Sequence, residues 1–312
     1  MAWIPERAEG ESKERVAFIG LGNMGSPMTT RLVAAGHSVS GFDVSAAARA
    51  RFAEHGGAPA DSAVAAVADA AVVILMLPNS DVVDAVVAEM LPHVRAGALL
   101  VDMSSSEPLR TRALAETVAA GGARLIDAPV SGGVKGATAG TLAIMVGGPA
   151  ESFAEVSELL SALGKPTHVG AIGAGHALKA INNLMSAIHL WGSSEAMLTG
   201  IAFGLDPEVM LEVINASSGR SGSTQLKWPS FIVPETYDSG FALALMLKDM
   251  RIATSLATEL GIPHELGDEA VAHWTRASAD LGAGADHTEV ARWLRERGSS
   301  APEGRVETKE RG

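Results

Sequence analysis

No cysteine occurs anywhere in the 312 residues, so disulfides, thiolate nucleophiles and sulfur-ligated metals are excluded together. No metal site is expected. The absence by itself leaves the cellular compartment open. Aromatic residues are scarce at 4%, while alanine, valine and glycine are plentiful, a composition suited to helices packed closely on sheets. Positive charge is also short: 24 basic against 36 acidic side chains leave a net −12. That disfavours a nucleic-acid or anionic-membrane surface, since both need a positive face. The opening MAWIPERAEGESKER holds no apolar stretch of signal-peptide length. Elsewhere glycine or polar residues break every apolar run well short of a membrane span. A soluble, cytoplasmic protein is expected, with neither nucleic acid nor membrane as partner.

What is present is an apolar fraction of 47%, ample for a packed core, in a chain long enough for two domains. Residues 1–14 and 298–312 are polar and charged without apolar period, and are expected to be disordered tails. Between them, RVAFIG (15–20), HSVSGFD (37–43), AVVILML (71–77), ALLVDM (98–103), RLIDA (124–128) and LAIMVG (142–147) read as strands. Segments such as 25–35 and 80–91 have helical composition. This alternation predicts an α/β fold with a doubly wound, mostly parallel sheet over 15–173. From 174 to 297 the pattern is all helical, with helices expected at 174–203, 207–216, 241–260, 265–280 and 286–297. The long helix 174–203 is expected to join the two domains. No internal repeat is evident.

Gly20, Gly22 and Gly25 stand in G-x-G-x-x-G spacing, after a strand and at the start of a helix. In that setting the first glycine permits a tight turn and the second lets backbone approach a pyrophosphate. The third lets helix pack on strand. Free N–H groups and the dipole at the helix start favour phosphate. Asp43 closes the second strand, where a carboxylate accepts hydrogen bonds from ribose hydroxyls and repels a 2′-phosphate. The reading is NAD as cofactor, with NADP possible if Arg49 or Arg51 softens the preference. MLP (76–78) and DMSSS (102–106) follow strand ends, where this fold binds ligands; ordinary turn chemistry explains them equally well.

DAPVSGGVKGATAGTL (127–142) reads as too glycine-rich for a helix. Ser131, Gly132 and Gly133 are placed to offer a hydroxyl and successive N–H groups to a carboxylate, or form a plain surface loop. In GAGHALKAINN (173–183), Lys179 and Asn183 are one helical turn apart on a strongly apolar helix. Lys179 either snorkels to solvent or, taken out of water beside a cationic ring, works as acid or base. His176 is a rival catalyst, weighed lower because another turn separates it from Asn183.

Four segments, GLGNMGSPM (20–28), DAPVSGGVKGATAGTL (127–142), GAGHALKAINN (173–183) and LMLKDMRIA (245–253), together resemble the β-hydroxyacid dehydrogenase family. That family includes 3-hydroxyisobutyrate dehydrogenase and is related to 6-phosphogluconate dehydrogenase; the resemblance spans roughly 15–297. It implies a Rossmann-type domain followed by an all-α domain, with NAD-dependent oxidation of a small β-hydroxy acid or reduction of the matching semialdehyde. Lys179 then matches the catalytic lysine and Asn183 the asparagine that helps position substrate. Ser131, Gly132 and Gly133 match the loop that holds the substrate carboxylate. Gly20, Leu21, Gly22, Asn23, Met24, Gly25, Asp43, Leu77, Pro78, Ser105 and Lys248 fall at cofactor positions; many relatives have threonine where Ser105 stands.

Within the resemblance, hydride passes between the hydroxyl-bearing carbon and nicotinamide C4 while Lys179 exchanges the hydroxyl proton. Alternatives are a non-catalytic NAD-binding regulatory or scaffold protein of the same fold, and an imine reductase. Presence of both Lys179 and Asn183 counts against each. The segment 215–227 (NASSGRSGSTQLK) reads as a polar loop whose Arg220 either reaches a second anionic group or serves the surface. The apolar length of 174–203 predicts a homodimer or homotetramer.

Overall fold

The computed structural model describes residues 15–282 and 284–299. Two compact units divide within one long helix, the first ending at Ile181 and the second beginning at Asn182. The tails expected at 1–14 and 300–312 lie outside the described residues. Residues 298 and 299, expected in the C-terminal tail, instead continue the last helix.

The first unit alternates strand and helix: β1 (Val16–Ile19), α1 (Gly25–Ala34), β2 (Val39–Phe42), α2 (Ala46–Glu54), β3 (Ala58–Pro59), α3 (Ala63–Val67), β4 (Val72–Leu75), α4 (Ser80–Met90), β5 (Leu99–Asp102), α5 (Pro108–Ala120), β6 (Arg124–Asp127), β7 (Val130–Ser131), α6 (Gly133–Ala139), β8 (Leu142–Gly147), α7 (Ala150–Ser161) and β9 (Gly164–Gly170). The sheet runs β3-β2-β1-β4-β5-β6-β8-β7, with β9 also on β8. Strands β3 to β6 in that order are parallel, and β8 turns antiparallel to β6 and β7. The chain order reverses between β1 and β4, the switch point at which doubly wound sheets bind ligands.

The continuous apolar runs of β1, β4 and β5 arise because both sheet faces are covered. Val16, Phe18, Val72, Ile74, Leu99 and Val101 point into one core. Their neighbours Ala17, Ile19, Val73, Leu75 and Leu100 point into the other. Strands β3, β7 and β9 were not expected. The first two are only two residues long, and β9, GKPTHVG, is a half-exposed edge whose Pro166 an edge strand tolerates.

Segment 133–139 is helical, contrary to the reading of 127–142 as too glycine-rich. Most of its glycines sit at the helix ends: Gly132 is the N-cap and Gly140 a left-handed C-cap. Averaging composition over the window hid that placement.

In the second unit, α8 (Ala174–Phe203, which begins in the first unit) is followed by α9 (Pro207–Asn215), α10 (Leu243–Glu259), α11 (Glu265–Leu281) and α12 (Val290–Ser299). Its core gathers Trp191, Trp274 and Trp293, the Trp191 ring centroid lying 6.2 Å from that of Trp274 and 5.7 Å from that of Trp293. Residues 223–232 form a π-helix, so the polar loop expected over 215–227 ends early. Pro229, which lacks the N–H that a regular turn needs, lies inside this wider turn. Among the described residues, no helix is long and apolar enough to cross a membrane.

Candidate active site

Strand register gathers the residues of the glycine loop and its neighbours. Ile19 pairs with Phe42 and with Leu75, and Leu75 with Asp102, so the loops after β1, β2, β4 and β5 leave one sheet edge side by side. Gly20 has φ +100°, and a Cβ on it would collide with the Met76 carbonyl. A Cβ on Gly25 would strike the Gly20 carbonyl, so α1 approaches β1 only without a side chain there. At Gly22 a Cβ would meet nothing within 4 Å, and Gly22 and Asn23 are exposed. The side chain of Leu21 is buried, while Met24 is half-buried and caps α1 without a side-chain hydrogen bond.

Asp43 turns back onto this loop. Its Oδ2 accepts from Leu21 N at 2.8 Å and its Oδ1 from Ser45 N at 2.8 Å. Arg49 donates to the Asp43 carbonyl at 2.6 Å and lies over the Phe42 ring. An arginine therefore does stand beside the acid, brought there by one turn of α2. Arg51 is exposed on that helix.

Ser104 and Ser106 hold the turn after β5. Ser104 Oγ accepts from Leu77 N at 2.9 Å, which ties the β4 and β5 loops together. Asp102 accepts from Ser104 N and Ser106 Oγ at 2.9 and 2.8 Å. Ser104 and Ser106 are buried and Ser105 is partly exposed. In the loop after β6, Ser131 pairs with Ala143 of β8, and Gly132 and Gly133 both have positive φ.

Three buried acids were not singled out by sequence reasoning. Asp102 and Asp127 end β5 and β6 as register partners, and the signal was a charge closing each apolar strand. Asp127, 0% exposed, accepts from Gly173 N at 2.7 Å and His176 N at 2.8 Å, so it fixes the start of α8. Glycines 147 and 175 leave the space for this carboxylate. His176, 1% exposed, places Nδ1 2.8 Å from Thr111 Oγ1 and Nε2 3.1 Å from the Ser104 carbonyl. It braces α8 against the β5 loop, a structural task that sets it apart from a mobile catalyst.

Lys179 and Asn183 follow on α8 at 7% and 4% exposure, so the lysine does not snorkel out. In the second unit Asn183 Nδ2 donates to Asp249 Oδ2 at 2.6 Å, and its Oδ1 accepts from Asn182 at 3.1 Å. Asp249 is the third missed acid; Lys248 Nζ lies 3.5 Å from its Oδ1. The adjacent K-D pair in an apolar helix was the signal. Arg220 is exposed in the loop between α9 and the π-helix.

Residues 15–173 match the family model for the NAD binding domain of 6-phosphogluconate dehydrogenase. Residues 173–294 match the model for the NAD-binding region of NADP-dependent 3-hydroxyisobutyrate dehydrogenase. A 3-hydroxyisobutyrate dehydrogenase of Pseudomonas aeruginosa is 41% identical over 81% of this chain and 88% of its own. A 2-(hydroxymethyl)glutarate dehydrogenase of Eubacterium barkeri is 38% identical over 81% of this chain and 85% of its own. Among solved structures, a Mycobacterium tuberculosis 3-hydroxyisobutyrate dehydrogenase with L-serine superposes with TM-score 0.86 at 36% identity. It covers 91% of this chain and 99% of its own. With a reversing parallel sheet, a glycine loop answered by Asp43, and a lysine and asparagine buried one turn apart, the chain belongs to the β-hydroxyacid dehydrogenase family of NAD(P)-dependent oxidoreductases.

Proposed function

We propose that this protein oxidises a small β-hydroxy acid of the 3-hydroxyisobutyrate type, or reduces the matching semialdehyde, with Lys179 as general acid and base. The observation that carries this reading is the burial of Lys179 and Asn183 on one face of α8, with Asn183 oriented by Asp249. A lysine held out of water costs stability, and buried ionisable groups of this kind cluster at functional sites.

The first unit fits a dinucleotide. Bare backbone at Gly22, an α1 start without a side-chain cap, and a carboxylate aimed from Asp43 suit a pyrophosphate and an adenosine ribose. When bound, NAD(P) supplies the hydride-accepting carbon. Leu77, Pro78 and Ser105 complete the proposed cofactor contacts of this unit, and Lys248 is a further proposed cofactor residue. NAD is favoured over NADP because Asp43 opposes a 2′-phosphate, and Arg49 narrows that margin.

Ser131 and the N–H groups of Gly132 and Gly133 hold the substrate carboxylate. Lys179 takes the proton from the substrate hydroxyl oxygen in oxidation and returns it in reduction. Asn183, fixed by Asp249 through its amide nitrogen, offers the reacting hydroxyl the second lone pair of an Oδ1 that already accepts from Asn182. Orientation by these three anchors is the source of rate.

Residues 15–173 then serve the cofactor and 174–297 the substrate and self-association. The latter rests on the exposed stripe Leu178, Ile181 and Met185 of α8, spaced for one helix face. A homodimer or homotetramer covers it, and we place the protein in the cytoplasm.

The test is an NAD-versus-NADP reduction assay over three- and four-carbon hydroxy acids. Reduction of NAD, faster than of NADP, by 3-hydroxyisobutyrate or a close analogue is expected. No reduction of either coenzyme by any of them would overturn the reading.

A further inference from the structure

The second unit holds a lysine to which the mechanism above gives no task. Lys227 lies on the π-helix 223–232, and its Nζ donates to Ser186 Oγ at 2.8 Å. Among the described residues that is its one hydrogen bond, and no carboxylate comes within ion-pairing distance. An ammonium carries three donors, so one serine oxygen is little recompense for its partial burial. Burial lowers its pKa to about 8, against the opposing pull of Asp286.

The surroundings are also under-satisfied. Ser223 Oγ and Trp228 Nε1 on the same π-helix are buried with no hydrogen-bond partner. Turns of this type concentrate at functional sites, where the lost regular bonding is offset by what the segment holds in place.

Position on α8 gives Lys227 its direction. Ser186 follows Asn183 by three residues and Lys179 by seven, so all three share one helix face. Along the axis, Lys179 and Ser186 are separated by roughly 10 Å. A group held at Lys227 therefore lies further along α8 than one held at Lys179, which suits an acid charged at both ends. Arg220 is exposed in the preceding loop, and among the described residues no hydrogen bond joins its side chain to α8.

We propose that Lys227, set against Ser186, is an anchor for a second anionic group, so that the substrate class is a β-hydroxy acid with a carboxylate, or a like-charged group, at its far end. This rests on the reading of Lys179 and Asn183 given above. It also supplies a reason for a cation on this face of α8 that a methyl-bearing substrate does not.

The experiment compares 3-hydroxyisobutyrate with 2-(hydroxymethyl)succinate, in which a carboxylate replaces one methyl hydrogen, and with the diacid one carbon longer. Full-length wild type, Lys227→Met and Lys227→Arg are assayed for coenzyme reduction. In wild type, at least one diacid is expected to show a higher kcat/KM than the monoacid. Lys227→Met is expected to lower the diacid-to-monoacid ratio of kcat/KM at least tenfold, chiefly through KM, and Lys227→Arg to recover most of it. A ratio that moves less than threefold, or a wild type that favours the monoacid over both diacids, overturns the inference alone. Failure to turn over any of the three with either coenzyme overturns the functional reading, and the inference with it. Should Lys227→Met not melt cooperatively, Lys227→Gln is read by the same ratio.

Discussion

Lys179 combines a charge with near-complete burial, and its backbone is regular helix throughout. Its chemistry is therefore separable from the fold. Lys179→Ala is expected to lower kcat by a thousandfold or more, at the upper part of what acid–base groups contribute. NAD affinity, followed by quenching of protein fluorescence, should change less than threefold. Turnover equal to wild type would dismiss the lysine as catalyst. Residues at this scale were partly legible in the sequence. Lys179 and Asn183 stood out as polar interruptions of an apolar helix, whereas Asp249 pairs with Asn183 from 66 residues away. Only folding makes that contact. His176 shows the converse: its spacing suggested chemistry, but Thr111 and the Ser104 carbonyl occupy its ring.

At the scale of elements, the start of α8 is a tightly held joint of the first unit. Asp127 binds two of its N–H groups, and Gly175 gives the space for the approach. A Cβ on Gly175 would collide with the Met145 carbonyl and lie 2.8 Å from Asp127 Oδ2. Because those atoms belong to backbone and to a pinned carboxylate, neither gives way cheaply. Gly175→Ala is expected to cost about 1–3 kcal/mol in urea unfolding, as overpacking does. It should also lower kcat, since Lys179 lies one turn on. A variant within 0.5 kcal/mol of wild type, roughly the range of an ordinary surface change, would show that α8 shifts freely. The helices α6 and 223–232 belong to the same scale. The glycines of 127–142 and the glycines and serines of 215–227 weigh against helix, so both segments read as loops. Capping glycines in one, and a π-turn around Pro229 in the other, reconcile those residues with helical structure.

Over the molecule as a whole, pH acts through a polar cluster in the helical unit. Burial alone would raise the pKa of Asp286, but hydrogen bonds from His287, Thr288 and Ser239 hold it well below the usual carboxylate range. Nearby, burial lowers His287, and burial brings Lys227 down to about 8. The signs differ in their consequences. A depressed carboxylate adds stability above its unfolded value, about 3.9, and loses it as pH falls through and below that range. Asp286→Asn is therefore expected to lower stability by about 1–3 kcal/mol at pH 7. The gap from wild type should close in acid melts below about pH 4. A gap that persists undiminished there would show that the charge of Asp286 is not what stabilises. For Lys227 the depressed value means the folded chain disfavours the ammonium, so stability present above about pH 10 declines as pH falls through 8. Lys227→Met is accordingly expected to melt at a higher temperature than wild type at pH 7.

The proposed self-association belongs to the same scale. If the stripe Leu178, Ile181 and Met185 is covered by another copy, light scattering at micromolar concentration returns at least twice the chain mass. A monomer under those conditions would refute the association. Charge substitutions at Met185 should then separate the copies.

By itself, the amino-acid order determined the alternating α/β half, the helical half and the glycine loop with its acid. These depend on local period and on turn chemistry, which are written in neighbouring residues. It also showed Lys179 and Asn183 as polar residues out of place in an apolar helix, but not the buried acids Asp127 and Asp249. Tertiary structure alone decided the partners: Asp127 for the start of α8, Asp249 for Asn183, Arg49 beside Asp43, and Ser186 for Lys227. Most of these contacts join residues far apart in the chain, and the free energy of burying a polar group depends on what it meets there. No local pattern encodes that meeting, which is why a polar loop in the sequence became a helix carrying a half-buried lysine.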